Sequence, residues 1–152
     1  MTISILIVDD YRVVREGLRA LLVSDEELQI VAEASDGLDA VEQARRWRPD
    51  VVLMDAELPA MDGIEATAII RQDLPTTEVL VLTETHAGLD IIKAIRAGAI
   101  GYLLKNAQAT DLRTAIRAAA AGQVYLSPVN SWLAPDFVRP SISPSGHDFF
   151  AL

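Results

Sequence analysis

Short apolar runs of four to six residues recur along the chain, at Ile3–Val8, Leu28–Ala32, Val51–Met54, Val79–Leu82 and Ile100–Leu104. They are rich in Val, Ile and Leu with little polar alternation, as strands covered on both faces require. Longer stretches of helical periodicity separate them. The first carries Val14, Leu18, Leu21 and Leu22 on one stripe, with Arg12, Arg15, Glu16 and Arg19 mostly off it. A second starts at Asp36-Gly37, where the aspartate suits an N-cap, and buries Leu38, Val41 and Ala44. The third follows Asp62-Gly63 and carries Ile64, Ala68, Ile69 and Ile70. The fourth runs through Leu89, Ile92 and Ile95 and stops at Gly98; the fifth runs from about Thr110 through Leu112, Ala115, Ile116 and Ala119 to Gly122.

Five strand-then-helix units in order predict an α/β fold, a parallel sheet with helices on both faces. For five strands the flavodoxin-like order 2-1-3-4-5 is the first expectation, a (βα)5 sandwich. Residues 1–122 form that domain. Residues 123–152 change character: they hold four of the seven prolines, all three phenylalanines and Trp132, with Asp136, Arg139 and Asp148 as the only charges. They read as a linker or disordered tail. Their aromatic surface (Trp132, Phe137, Phe149, Phe150) offers docking on the chain's own domain or on a second copy as the alternative.

Charge and composition narrow the function. Twenty-two acids against thirteen bases give a net charge of −9. That balance argues against direct binding of nucleic acid or of an anionic membrane by this chain. With no cysteine there is no disulfide and no thiolate metal site. The N-terminus has no basic region ahead of its apolar run and no stretch is long enough to span a bilayer, so the cytoplasm is the expected location.

The chemistry gathers where the predicted strands end. Asp9 and Asp10 follow the first, Asp55 the third, Thr83 the fourth and Lys105 the fifth. Open α/β sheets bind ligands at these carboxyl ends, where the strand order reverses, which here lies between Asp9/Asp10 and Asp55. Three carboxylates brought together repel, and a divalent ion resolves the conflict. Mg2+ takes hard oxygen ligands, one or two carboxylates plus phosphate oxygens. A carboxylate nucleophile beside a metal, faced by a hydroxyl and an ammonium, suits phosphoryl transfer.

Five segments then carry a resemblance: Ile7-Val8-Asp9-Asp10, Val51-Val52-Leu53-Met54-Asp55, Leu58-Pro59-Ala60-Met61-Asp62-Gly63, Val81-Leu82-Thr83 and Gly101-Tyr102-Leu103-Leu104-Lys105. Their order and spacing resemble the signature blocks of CheY-like response-regulator receiver domains, over about residues 3–122. The stretches Ala97–Lys105 and Gly122–Pro128 further resemble the NarL/FixJ type, whose receivers usually precede a helix-turn-helix domain. Residues 129–152 have neither the length nor the basic residues for such a domain.

The resemblance implies specific roles. Asp55 would accept a phosphoryl group from a sensor histidine kinase or a small acyl phosphate. Asp10 would bind Mg2+ directly, Asp9 directly or through water, and the backbone carbonyl of Glu57 would complete the protein's share. Lys105 and Thr83 would hold phosphoryl oxygens. Tyr102 would be the aromatic switch that turns inward as Thr83 moves. The readout would be a protein-contact or dimerisation surface that regulates transcription in a longer protein. The chain would then be no enzyme beyond promoting its own phosphorylation and dephosphorylation.

Other residues have competing readings. Glu57 and Glu84 flank site residues and either tune phosphate lifetime and Mg2+ affinity or point to solvent. Asp62 is expected to cap the third helix, Trp47 to pack, and His86 to lie in a surface loop. Ala118–Ala121 suits close helix packing or a dimer face. Asn106, not proline, follows Lys105, so no cis bond is expected there. A phosphorylation-independent interaction module is the alternative function. A phosphatase of the same fold class fits poorly, because such enzymes carry an aspartate where Glu57 stands.

Overall fold

The computed structural model describes residues 2–84 and 88–126. Its elements follow the predicted alternation: β1 (Ile3–Val8), α1 (Arg12–Leu22), β2 (Leu28–Ala34), α2 (Gly37–Trp47), β3 (Val51–Asp55), α3 (Gly63–Asp73), β4 (Glu78–Thr83), α4 (Gly88–Arg96), β5 (Gly101–Leu104) and α5 (Ala109–Ala120). All strand pairs are parallel, in the order β2-β1-β3-β4-β5-β6. The order 2-1-3-4-5 is as expected, but the sheet has six strands rather than five. The addition, β6 (Tyr125–Leu126), lies past Gly122 and pairs Gly101 with Tyr125 and Tyr102 with Leu126.

Strand residues alternate between two cores. Leu6, Val8, Val52, Met54, Val79, Val81 and Tyr102 pack with α2, α3 and α4. Ile5, Ile7, Val51, Leu53, Leu80, Leu82 and Leu103 pack with α1 and α5. β3 is buried throughout, whereas β2, at the sheet edge, is largely half-exposed, so the expectation of full cover fails for that strand.

Helix faces depart from expectation in a consistent way. Leu18 and Leu22 are buried on α1, while Leu21 is exposed. On α2 the sheet receives Ala40, Val41 and Ala44, and Leu38 is 57% exposed. On α3 the buried residues are Gly63, Ala66, Thr67 and Ile70, with Ala68 outside. On α4 they are Ile91 and Ala94; Ile92 is half-buried and Ile95 exposed. The Leu89 side chain lies outside the described residues. Each of α2, α3 and α4 turns one branched residue, Val41, Ile70 or Ile91, to the core together with alanine, while Leu38 and Ile95 fall on the solvent side. Only α5 buries the stripe expected of it, Leu112, Ala115, Ile116 and Ala119.

The caps are as read. Asp36 Oδ1 accepts from Asp39 N at 2.7 Å and Asp62 Oδ1 from Glu65 N at 2.8 Å. α4 ends just ahead of Gly98, whose φ is +107°. Trp47 is 47% exposed rather than packed, with the Arg46 guanidinium 5.6 Å from its ring centroid. His86 and the tail residues Trp132, Phe137, Phe149 and Phe150 lie outside the described residues.

Candidate functional site

Parallel strands that start in register end in register, so their last residues meet on one edge. β1 delivers Asp9 and Asp10, β3 ends in Asp55, β4 in Thr83, and Lys105 follows β5. All five predicted residues thus share the carboxyl edge. Carboxylate oxygens of Asp9, Asp10 and Asp55 lie within 4.8 Å of one another. Asp9 is 1% exposed and Asp55 4%, whereas Asp10 is exposed.

Asp9 is bonded on every side. Its N–H donates to Ala34 O at 3.1 Å, its Oδ1 accepts from Tyr11 N at 2.9 Å, and its carbonyl accepts from Arg15 Nη1 at 2.7 Å. Its Oδ2 pairs with Lys105 Nζ at 2.8 Å. The same ammonium stands 3.1 Å from Asp55 Oδ2, and Asp55 Oδ1 accepts from Glu57 N at 3.1 Å. Lys105 therefore bridges the two buried acids.

Burial dominates the titration of Asp55 and pushes its pKa up to about 6; the Asp9 charge adds to the rise, while the Glu57 N–H and Lys105 oppose it. For Lys105 burial favours the neutral amine, yet the pairs with Asp9 and Asp55 outweigh it and raise its pKa. Tyr102 is 1% exposed and lies on the α4 face of the sheet. Burial raises its pKa, the Thr83 side chain opposes the rise through a hydrogen bond, and the charges of Asp90 and Glu57 add to it.

A cleft opens beside this cluster, lined by Asp10, Glu57, Leu58, Asp62, Thr83 and Asp90 among others, with Lys93 the cation among its lining residues. Glu57 and Glu84 are both exposed, and of the two only Glu57 faces the cleft. Asp62 lies at its rim while capping α3.

A buried acid bridged by lysine to a second, with a third acid exposed at the mouth, is a set of hard oxygens that could hold a cation. Residues 5–117 match the response regulator receiver domain family. The chain belongs to that family. Among curated relatives, the receiver resembles the response regulator protein VraR of Staphylococcus aureus, 37% identical over 128 residues. That alignment takes in 84% of this chain and 61% of VraR, so the chain spans about three-fifths of the relative's length.

Solved structures agree. A LuxR-family two-component response regulator from Aurantimonas sp. SI85-9A1 superposes with a TM-score of 0.84 at 38% identity, covering 91% of this chain and all of that one. The signal receiver domain of NarL from Mycobacterium tuberculosis gives 0.77 at 32% identity, covering 80% and 98%. The chain is thus a CheY-like receiver of the NarL/LuxR type of two-component response regulator.

Two contributors to the receiver site were not foreseen. Arg15, placed by periodicity on a polar helix face, reaches the Asp9 carbonyl. Gly63, read as the residue after a cap and as the end of a signature block but given no role at the site, packs against the Asp55 carbonyl. Neither contact shows in side-chain periodicity, because each ends on a backbone carbonyl oxygen. Among the described residues no helix is long and apolar enough to cross a membrane.

Proposed function

We propose that this receiver is switched by transfer of a phosphoryl group to Asp55, from a phosphohistidine of a partner kinase or from a small acyl phosphate. An Asp55 carboxylate oxygen attacks phosphorus as the bond to the donor's nitrogen or oxygen breaks, leaving an acyl phosphate on the protein. The observation that carries this reading is the Lys105 ammonium shared between Asp9 and Asp55, a cation poised where phosphoryl charge would arrive.

The donor set fits Mg2+: three carboxylates converge, one of them exposed, and hard oxygens are what the ion prefers. Asp10 and Asp9 would hold it, with Asp55 and the Glu57 carbonyl. Bound there, it would neutralise charge on the carboxylates and the incoming phosphoryl oxygens. Lys105 and Thr83 would take the remaining oxygens, and Tyr102 would register the movement of Thr83. Glu57 and Glu84 would tune Mg2+ affinity and phosphate lifetime. The receiver would work in the cytoplasm as a switch, catalysing nothing beyond its own phosphorylation and loss of phosphate. Phosphorylation would change dimerisation or another protein contact, and so transcription in a longer regulator.

Incubation with acetyl phosphate and Mg2+, followed by intact mass and sizing chromatography, tests this. One added phosphoryl group that vanishes in Asp55→Asn is the expected result, and a changed dimer fraction would identify association as the output. No gain from any donor would sink the proposal in favour of a phosphorylation-independent interaction module.

A further inference from the structure

Asp10 is the acid at the site that nothing buries, yet its backbone is held on both sides. The peptide joining Asp9 to Asp10 is planar, so whatever fixes its carbonyl fixes the plane from which the Asp10 side chain departs. Arg15 Nη1 holds that carbonyl at 2.7 Å. On the other side, Tyr11 N–H donates to Asp9 Oδ1 at 2.9 Å and so fixes the next peptide. Arg15 is itself held: its Nε donates to Glu33 Oε1 at 2.9 Å. Glu33 stands on β2 opposite Ile7 of β1, and its other oxygen takes Arg19 Nε at 3.0 Å. The Arg15 side chain is 17% exposed, buried enough for such a clamp to keep one geometry.

We infer that Arg15 is a positioning residue for the cation site, orienting the Asp9–Asp10 peptide through a clamp anchored on Glu33. This rests on the metal reading above. Residues behind metal ligands orient them, and their loss characteristically costs about 10–100-fold in affinity. Arg15 does so from the backbone side. Removing a cation from beside an acidic site should, by Coulomb attraction alone, tighten the binding of Mg2+. Loss of positioning should weaken it.

Calorimetric titration of Mg2+ into the wild-type protein, Arg15→Gln and Arg15→Lys separates the two, with Mn2+ binding followed by electron paramagnetic resonance as a second probe. Arg15→Gln should bind about tenfold more weakly or worse. Arg15→Lys keeps the charge but cannot span the Asp9 carbonyl and Glu33 together, so it should also bind more weakly. Melting of the metal-free proteins separates this from a structural role, which would lower Tm without moving Mg2+ affinity. Unchanged or tighter binding by a folded Arg15→Gln would overturn the inference. Were that variant unfolded, wild-type affinity in Arg15→Lys would do so. A wild-type protein that takes up no Mg2+ would overturn the metal reading itself, and this inference with it.

Discussion

Gly63 at the start of α3 lies against Asp55 so closely that a Cβ there would stand 1.9 Å from the Asp55 carbonyl oxygen. The first turn of α3 therefore sets the height of Asp55, the proposed phosphoacceptor, at the end of β3. A methyl group at this position must push either the helix or the strand end. Gly63→Ala should cost about 1–3 kcal/mol, as overpacking does, and should also depress phosphorylation of Asp55. Gly17 on α1 is the control, because a Cβ there meets nothing within 4 Å. Gly17→Ala should gain about 0.5–1 kcal/mol from helix propensity. Thermal melting of both variants checks the pair, and equal stability of Gly63→Ala and wild type would refute the close approach.

The raised pKa of Asp55 makes metal-free stability fall with pH. The folded carboxyl keeps its proton to about pH 6, whereas the ordinary value is 3.8. Between those values the folded state binds more protons than the unfolded one, so stability declines as pH rises through the window. The full loss is about 3 kcal/mol or less and persists at neutral pH. Asp55→Asn, melted in chelator from pH 4.5 to 8, should outlast wild type by a margin that widens to about pH 6 and then levels. Saturating Mg2+ should shrink the margin. A margin independent of pH would show that the carboxyl is not strained by burial.

Lys105 holds Asp9 and Asp55 together, so Lys105→Met should leave two buried acids facing each other. Breaking a buried pair by removing one partner costs about 3 kcal/mol. The loss should be large in chelator and mostly restored by Mg2+, since a divalent cation can replace the ammonium's charge. Acetyl phosphate should still bind poorly, because the phosphoryl oxygen loses its partner. Equal melting losses with and without Mg2+ would contradict the shared-cation geometry.

Glu57 lines the cleft and is exposed, so its charge acts through solvent. Glu57→Ala should weaken Mg2+ binding by roughly twofold at low salt, with the difference fading as ionic strength rises. Glu84→Ala, outside the cleft lining, should change it less. Dephosphorylation rates of the two variants complete the test. If neither rate moves, both side chains serve only the solvent face.

Much of this protein was legible in its sequence. Buried parallel strands must be apolar along their length, so Ile3–Val8 and Val51–Asp55 stand out, and the acids that end them fall on one edge by topology. Asp9, Asp10, Asp55, Thr83 and Lys105 could therefore be assembled from order alone. The phase of the shorter helices could not. α2 carries Leu38 beside Ala40, and α4 carries Ile95 beside Ala94, so large and small residues offer rival faces within two or three turns. Periodicity in so short a segment ranks the larger residues first, while the buried face took Ala40, Val41 and Ala44 on α2 and Ile91 and Ala94 on α4. β6 escaped because two residues carry no strand signal, and their pairing with β5 exists only once α5 has returned the chain to the sheet. Sequence by itself determined which polar groups gather at the strand ends. Tertiary structure decided what holds them, Arg15 on the Asp9 carbonyl and Gly63 against the Asp55 carbonyl, since a contact that ends on a backbone oxygen is written in no side-chain pattern.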